Sequence, residues 1–208
     1  MTNFARVERD LLADLLLREG PDAPTLCEGW TTRDLAAHIV VRERRPDSAI
    51  GMLVKPLAGH GERVRLARAA LPYPELIAQL RHPPAWSPVS NPLVEPFTNT
   101  MEFYVHHEDV RRGAGPWEPR VLGAEFEAAL WSNVKLVARA SLRRLGVTAE
   151  IEATGLTAVR NGAGPRVRVT GDAGELAMFF FGRQRATRVT VDGDPAVAER
   201  LRTARLGI

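Results

Sequence analysis

The sequence has almost no cysteine, almost no lysine and no long apolar run. Cys27 is its single cysteine, which rules out an internal disulfide and is typical of a reducing compartment. Lys55 and Lys135 are its only lysines, and a net charge of +3 is too small to indicate the clustered basic surface of a nucleic-acid-binding protein. No apolar stretch approaches the roughly 18 residues of a membrane span, and the N-terminus lacks the layout of a signal peptide. We therefore expect a cytoplasmic protein that binds neither nucleic acid nor a membrane.

The residue patterns change at Gly146. Apolar residues recur at helical spacing before it, and polar and apolar residues alternate as in strands after it. These patterns predict an α plus α+β protein with a helical domain at 1–146 and a small α+β domain at 147–208. Helices are predicted at 2–18, 31–45, 48–54, 62–70, 73–81, 99–112 and 120–145. Strands are predicted at 147–153, 156–160, 166–170 and 187–191, with helices at 174–181 and 195–204.

Two loop segments carry further information. Residues 82–97 contain five prolines and cannot form regular structure; structured loops of this length often contribute to a site. The dipeptide Asn161-Gly162, followed by Ala163-Gly164, is typical of a β-hairpin turn. We therefore expect the strands on either side of this turn to pair.

Three residues form a candidate metal-binding group. Glu102 and His106 are four residues apart in a predicted helix, so that their side chains share one face. His38 lies in a second predicted helix. Two histidines and a glutamate are a known zinc-ligand set that leaves a fourth position open to water or substrate. The competing interpretation is that His38 is a core or capping residue, while Glu102 and His106 pair along a helix surface.

Longer segments around these residues resemble a known family. The segments L-C-E-G-W-T-T-R-D-L-A-A-H-I-V-V-R-E-R-R and M-E-F-Y-V-H-H-E-D-V-R-R look like the actinobacterial branch of the DinB-like metalloproteins. They are most similar to the mycothiol-dependent maleylpyruvate isomerase family. The tail, with G-D-A-G-E-L-A-M-F-F-F-G-R and V-T-V-D-G-D-P-A-V-A-E-R-L, is similar to the second domain of that family.

The resemblance implies a fold, a metal site and a cofactor. The fold is an N-terminal DinB-like four-helix bundle followed by a small C-terminal domain similar to sterol carrier proteins. The metal ligands fall on His38, Glu102 and His106. The cosubstrate is mycothiol, a small thiol, and the family's active site also draws an arginine from the C-terminal domain. Arg183, Arg185 and Arg188 all fit that last role.

Arg42 is a further candidate for the active site. It lies one turn after His38, where a guanidinium can reach an anionic substrate beside a metal. The other interpretation is that Arg42 stabilises the dipole at the C-terminus of its helix.

The remaining residues near the motifs have simpler expected roles. Asp109, three residues after His106, either accepts the second N–H of that imidazole or pairs with a neighbouring arginine. We expect His107 to make a hydrogen bond at the surface or between helices, and Glu108 to be solvated. Cys27 is expected to be a small buried residue rather than a fourth ligand. Further expectations are that Asp34 caps its helix, that Trp30 anchors its loop in the core, and that His60 and His82 lie at the surface.

These observations lead to a functional hypothesis. We expect a divalent-metal enzyme, with zinc as the metal, that uses mycothiol to act on a small electrophilic substrate as an isomerase or a thiol transferase. The alternative is a non-catalytic protein of the same fold that binds a metal or a small ligand. In either case the partners are small molecules, and the chain is expected to be a monomer or a homodimer.

Overall fold

The computed structural model of the protein describes residues 2–47, 58–91, 94–95, 99–164 and 166–207. This part of the chain contains eight α-helices and one four-stranded sheet, so the predicted combination of helices with a small α+β part is confirmed. The chain forms two compact units, Met1–Trp117 and Glu118–Ile208. The predicted helix at 48–54 lies outside the described residues.

The division between the units differs from the predicted boundary at residue 146. The helix Ala124–Leu145 belongs to the second unit, because it packs against the helix Ala173–Phe180 and the strand Val159–Asn161 of that unit. A helix pattern alone does not tell which neighbour the apolar face meets, and so the change of pattern at Gly146 marks the end of a helix rather than the end of a domain.

Five described helices build the first unit. They are α1 (Phe4–Glu19), α2 (Thr32–Arg44), α3 (Ala58–Ala69), α4 (Tyr73–Arg81) and α5 (Thr100–Arg111). Their apolar faces meet in one core, which includes Leu12, Leu16, Leu35, Ile39, Leu76, Ile77, Leu80 and Phe103. Residues 82–91 of the proline-rich segment form turns and bends, as the sequence predicts.

The predicted cap at the start of α2 is confirmed. The carboxylate of Asp34 accepts hydrogen bonds from the backbone N–H and the hydroxyl of Thr31, at 3.1 and 2.9 Å. This arrangement satisfies donors that a helix start leaves open. The other oxygen of Asp34 pairs with the guanidinium of Arg65 on α3. These contacts of Asp34 hold the first turn of α2, the helix that carries His38.

A buried ion cluster connects α1, α2 and the proline-rich segment. The guanidinium of Arg9 contacts the carboxylates of Glu43 at 2.6 Å and of Glu95 at 2.7 Å, and donates to the carbonyl of Leu80. Ser90 donates to Glu43 at 2.6 Å. All of these side chains are almost fully buried, so each charge depends on its partners for the interactions that water would otherwise supply.

The second unit combines a long helix with a mixed sheet. Its helices are α6 (Ala124–Leu145), α7 (Ala173–Phe180) and α8 (Pro195–Thr203). Its strands are β1 (Ala149–Ala153), β2 (Val159–Asn161), β3 (Val167–Gly171) and β4 (Thr190–Gly193), in the order β2-β1-β3-β4. β1 pairs with β2 antiparallel and with β3 parallel, and β3 pairs with β4 antiparallel.

The turn at 161–164 does not close a hairpin, contrary to the prediction. It leads from β2 to β3, and β1 lies between these two strands in the sheet. Gly162 and Gly164 do have positive φ angles, so the residues form the turn that their types favour. A turn sequence determines the local backbone geometry but not which strands pair. Here β1 pairs with both β2 and β3.

Within the described part of the chain, none of the helices has both the length and the apolar composition that crossing a bilayer requires.

Replacing Arg9 by methionine should destabilise the first unit strongly. The substitution leaves the carboxylates of Glu43 and Glu95 buried without a counter-charge, which costs about 3–5 kcal/mol in comparable cases. The free energy of unfolding, measured by urea titration, reports the effect. Arg18→Ala on the same helix is the control, because the Arg18 pair with Glu19 is exposed and is worth at most about 1 kcal/mol. Equal losses in the two variants would contradict the assigned role of the cluster.

Candidate metal centre

α2 and α5 bring His38, Glu102 and His106 together. Nε2 of His38 lies 3.7 Å from Oε1 of Glu102, and Nε2 of His106 lies 3.3 Å from the same oxygen. The two imidazole rings are 5.5 Å apart between centroids. The ligand atoms of the three side chains all lie within 4.8 Å of one another. The i, i+4 spacing places Glu102 and His106 on one face of α5, and the packing of α2 and α5 brings that face to His38.

The donor set suits a divalent transition metal. Imidazole nitrogen and carboxylate oxygen are both good ligands for zinc, and two histidines with one glutamate occur in catalytic zinc sites. Among the described residues, no fourth histidine, cysteine or acidic side chain joins this group. Three protein ligands leave a coordination position for water or substrate.

Asp109 holds His106 from the other side of the ring. Nδ1 of His106 lies 2.9 Å from Oδ2 of Asp109, whose side chain is fully buried. A carboxylate at this position accepts the Nδ1–H and leaves Nε2 free for a metal. One of the two interpretations of Asp109 is that it accepts the second N–H of His106, and the structure shows this contact.

The neighbouring arginines pair with Glu108. Arg111 and Arg112 contact the carboxylate of Glu108 at 2.6 and 2.7 Å. Glu108 is 0% exposed, so the expectation that it is solvated is wrong. Two adjacent guanidiniums allow this carboxylate to be buried, and the sequence position gave no sign of that burial.

Arg42 lies at the edge of the metal group. Its Nε is 3.4 Å from Oε1 of Glu102, and its Nη1 donates to Oδ1 of Asn99 at 2.7 Å. Asn99 in turn donates to the carbonyl of Val89 at 2.9 Å. Asn99 thus precedes α5 as expected, but its side chain orients Arg42 and makes no capping hydrogen bond. A role limited to the helix dipole does not account for these contacts of Arg42.

The ionisation of the three candidate ligands is strongly coupled. Burial opposes the charge of Glu102, but hydrogen bonds with His106 and His38 hold the pKa of its carboxyl well below the ordinary value. Burial also opposes the charge of His106, yet hydrogen bonds with Asp109, Cys27 and Glu102 raise the pKa of this imidazole well above its ordinary value. The pKa of His38 is lowered, chiefly by burial. Without a metal, these contacts favour the ionised form of Glu102 and the protonated form of His106, and burial favours the neutral form of His38.

Cys27 approaches the same carboxylate as His106. Its Sγ–H donates to Oδ2 of Asp109 at 3.2 Å, while the side chain is partly buried against the helical core. Cys27 packs against the core but is only partly buried, so the expectation of a buried residue is met in part, and the polar contact was not predicted. Cys27, His106 and Asp109 form a second group of potential ligands. This group uses the Nδ1 edge of His106, whereas the first group uses the Nε2 edge.

Trp30 lies against His38. The two ring centroids are 5.1 Å apart, and the guanidinium of Arg65 on α3 lies 5.2 Å from the centroid of the indole. Trp30 is also packed against the core cluster of the first unit. The predicted anchoring role is confirmed, and the contact with His38 adds to it.

The other histidines are separate from the metal group. Nδ1 of His107 contacts Glu8 of α1 at 3.0 Å, a buried contact between helices of the expected kind. His60 is 3.0 Å from Asp47 with a partly exposed side chain, and His82 is exposed after α4. None of these three residues contributes to the groups of potential ligands found in the described part of the chain.

The arginines predicted from the resemblance lie in the second unit. Arg183 follows α7 and donates to the carbonyl of Phe181 at 2.6 Å. Arg185 lies in a short 3-10 helix, Gln184–Ala186. Arg188 forms an ion pair with Glu118 at 2.6 Å, in which both side chains are exposed. A role for any of them in catalysis remains a prediction.

Comparisons with known proteins identify no relative. No protein-family model matches the chain, and no curated protein or solved structure is significantly similar to it. The metal centre therefore stands on its geometry and on the residues themselves.

Replacing Asp109 by asparagine should weaken metal binding. An amide can present an N–H to Nδ1 of His106, and it lacks the negative charge that favours the Nδ1–H form of the ring. Loss of such a carboxylate partner typically costs about 10–100-fold in metal affinity. Zinc affinity measured by competition with a chromophoric chelator tests this expectation. Asp47→Asn is the control, because Asp47 is an exposed carboxylate that also contacts a histidine; a similar loss there would contradict the assignment.

Proposed function

We propose that the protein is a divalent-metal enzyme, with zinc held by His38, Glu102 and His106, that uses a small thiol to act on a small electrophilic substrate. The observation that carries the proposal is the convergence of two imidazole Nε2 atoms and one carboxylate oxygen from two helices. Such a set binds zinc and leaves a position open for chemistry.

Each residue around the group has a definable task. His38 and His106 present Nε2, and Asp109 keeps the proton of His106 on Nδ1. Glu102 supplies the anionic ligand, and Arg42 lies beside it with its guanidinium held by Asn99. Arg42 is therefore placed to attract an anionic group of a substrate or a thiolate into the site.

A divalent metal at this position supplies acidity, because it lowers the pKa of a coordinated thiol or water so that a nucleophile is available at neutral pH. The thiolate form of the cosubstrate would then add to the electrophile, for isomerisation or for conjugation. The choice of mycothiol rests on the resemblance of the two sequence segments around His38 and Glu102 to the maleylpyruvate isomerase family.

Metal content is the first test of the proposal. Purified wild-type protein should contain about one zinc per chain, as expected for a single three-ligand site. His38→Ala, Glu102→Gln and His106→Ala should each lose it, because two remaining ligands bind weakly. Elemental analysis after expression in zinc-supplemented medium, without a chelating purification step, provides the measurement. His82→Ala is the matched control and should retain full metal. Retention of stoichiometric zinc in His106→Ala would disprove the assigned ligands.

Activity is the second test. The zinc-loaded protein should consume mycothiol, or turn it over as a cofactor, in the presence of maleylpyruvate and of a panel of small electrophiles. Activity should vanish after chelation, return on addition of zinc, and be absent in Glu102→Gln. Cysteine and glutathione serve as comparison thiols. A stoichiometric metal without activity towards any electrophile would favour the non-catalytic alternative over the enzyme.

A further inference from the structure

One loop of the first unit approaches both histidines of the metal group. This loop, residues 20–31, joins α1 to α2 and is called the site loop below. Cys27 contacts Asp109, which holds His106, and Trp30 contacts His38 directly. The two histidines themselves come from α2 and α5, so the site loop is a third element that reaches both ligands.

On the His106 side, two hydrogen bonds to the carboxylate of Asp109 connect Cys27 with His106. The thiol of Cys27 and Nδ1 of His106 both donate to Oδ2 of Asp109, at 3.2 and 2.9 Å. The backbone of the loop also contacts Asp109, since the N–H of Leu26 donates to the backbone carbonyl of Asp109 at 3.0 Å. Asp109 is thus held by its side chain and by its backbone, and its carboxylate cannot rotate away from His106 without losing the thiol contact.

The contact on the His38 side is a ring pair. The indole of Trp30 lies 5.1 Å from the imidazole of His38, at an interplanar angle of 47°. Trp30 is itself held by Arg65 over its ring and by a hydrogen bond from the hydroxyl of Thr25 to its backbone carbonyl at 2.9 Å. A ring that is held in this way can limit the rotation of the imidazole that it contacts.

The site loop has a fixed shape and a fixed position. Thr25 also accepts from the N–H of Cys27 at 3.2 Å, and Pro24 forms a β-bridge with Thr31. Beneath the loop, Gly113 leaves no room for a side chain, since a Cβ there would lie 2.4 Å from the carbonyl oxygen of Pro24. The absence of a side chain at Gly113 thus allows the loop to lie directly against the end of α5.

We propose that the site loop positions both histidine ligands, with Cys27 acting on His106 through Asp109 and Trp30 acting on His38 by ring contact. Cys27 and Trp30 are positioning residues in this assignment, and neither binds the metal. The assignment rests on the proposed metal function. Cys27 belongs to the group with His106 and Asp109 and not to the group with His38 and Glu102.

Paired substitutions test the two contacts. Cys27→Ala and Trp30→Leu should each weaken zinc binding about tenfold, the lower end of the range for partners of metal ligands. Cys27→Ser keeps a hydroxyl donor for Asp109, and Trp30→Phe keeps an aromatic ring, so both should stay within about threefold of wild type. With cobalt in place of zinc, the visible absorption bands should shift in the first two variants and be largely preserved in the conservative ones.

Gly113→Ala tests the position of the loop without changing a ligand or the side chain of Asp109, although the added Cβ would also lie 2.9 Å from the backbone carbonyl oxygen of Asp109. The added methyl should push the loop from α5 and weaken zinc binding at least as much as Cys27→Ala. Gly59→Ala is its control, because a Cβ at Gly59 meets nothing within 4 Å. Circular dichroism and thermal unfolding of the metal-free variants identify any that fail to fold, and for those the cysteine and tryptophan pairs carry the test.

The outcomes separate this inference from the function on which it rests. If His38→Ala and His106→Ala lose zinc while Cys27→Ala, Trp30→Leu and Gly113→Ala bind it like wild type, the metal site stands and the loop assignment fails. If the wild type binds no zinc, both fail. A second zinc per chain that disappears in Cys27→Ala would make Cys27 a ligand and would also overturn the positioning role.

Discussion

The carboxylate of Glu102 is the interaction on which the candidate site depends. It lies between the Nε2 atoms of His38 and His106 and beside the guanidinium of Arg42. A largely buried carboxylate needs such compensation, because burial alone would favour its neutral form. In the metal-free chain, the hydrogen bond with His106 supplies much of it. A divalent metal would replace the proton on Nε2 of His106, so that metal binding and release of that proton are coupled. The same geometry would therefore serve the site with and without a metal.

This site is connected to the interior by buried polar contacts. Arg42 binds Asn99, the amide of Asn99 lies 3.4 Å from the hydroxyl of Ser90, and Ser90 donates to Glu43. Glu43 is a partner of Arg9 in the buried ion cluster. The chain of contacts includes the turn region of the proline-rich segment, which explains how an irregular segment contributes to a fixed site. Buried polar networks are costly when only some of their groups have partners. The orientation of Arg42 and the stability of the first unit therefore both depend on Asn99, Ser90 and Glu43.

Sequence patterns predicted the parts of the structure that depend on local spacing. The i, i+4 relation of Glu102 and His106, the cap at Asp34 and the positions of most helices and strands follow from one element at a time. Most of the missed features depend on partners distant in sequence, and the burial of Glu108 depends on two arginines three and four residues away. Glu108 is buried because Arg111 and Arg112 enclose it, β1 separates the strands on either side of the 161–164 turn, and α6 belongs to the second unit because of what it packs against. The approach of Cys27 to Asp109, across 82 residues, had no local signal of any kind.

The charges around the site favour an anionic fourth ligand. With neutral histidines, the negative charges of Glu102 and Asp109 and the positive charge of Arg42 would leave one positive charge in excess when a divalent metal is bound. A neutral water keeps that excess, whereas a thiolate or hydroxide removes it, and in a poorly solvated site an uncompensated charge is expensive. Arg42 is decisive in this balance, since without it the two carboxylates alone would neutralise the metal. A guanidinium beside the carboxylate ligand is therefore better suited to a site that activates an anion than to one in which a metal only braces two helices.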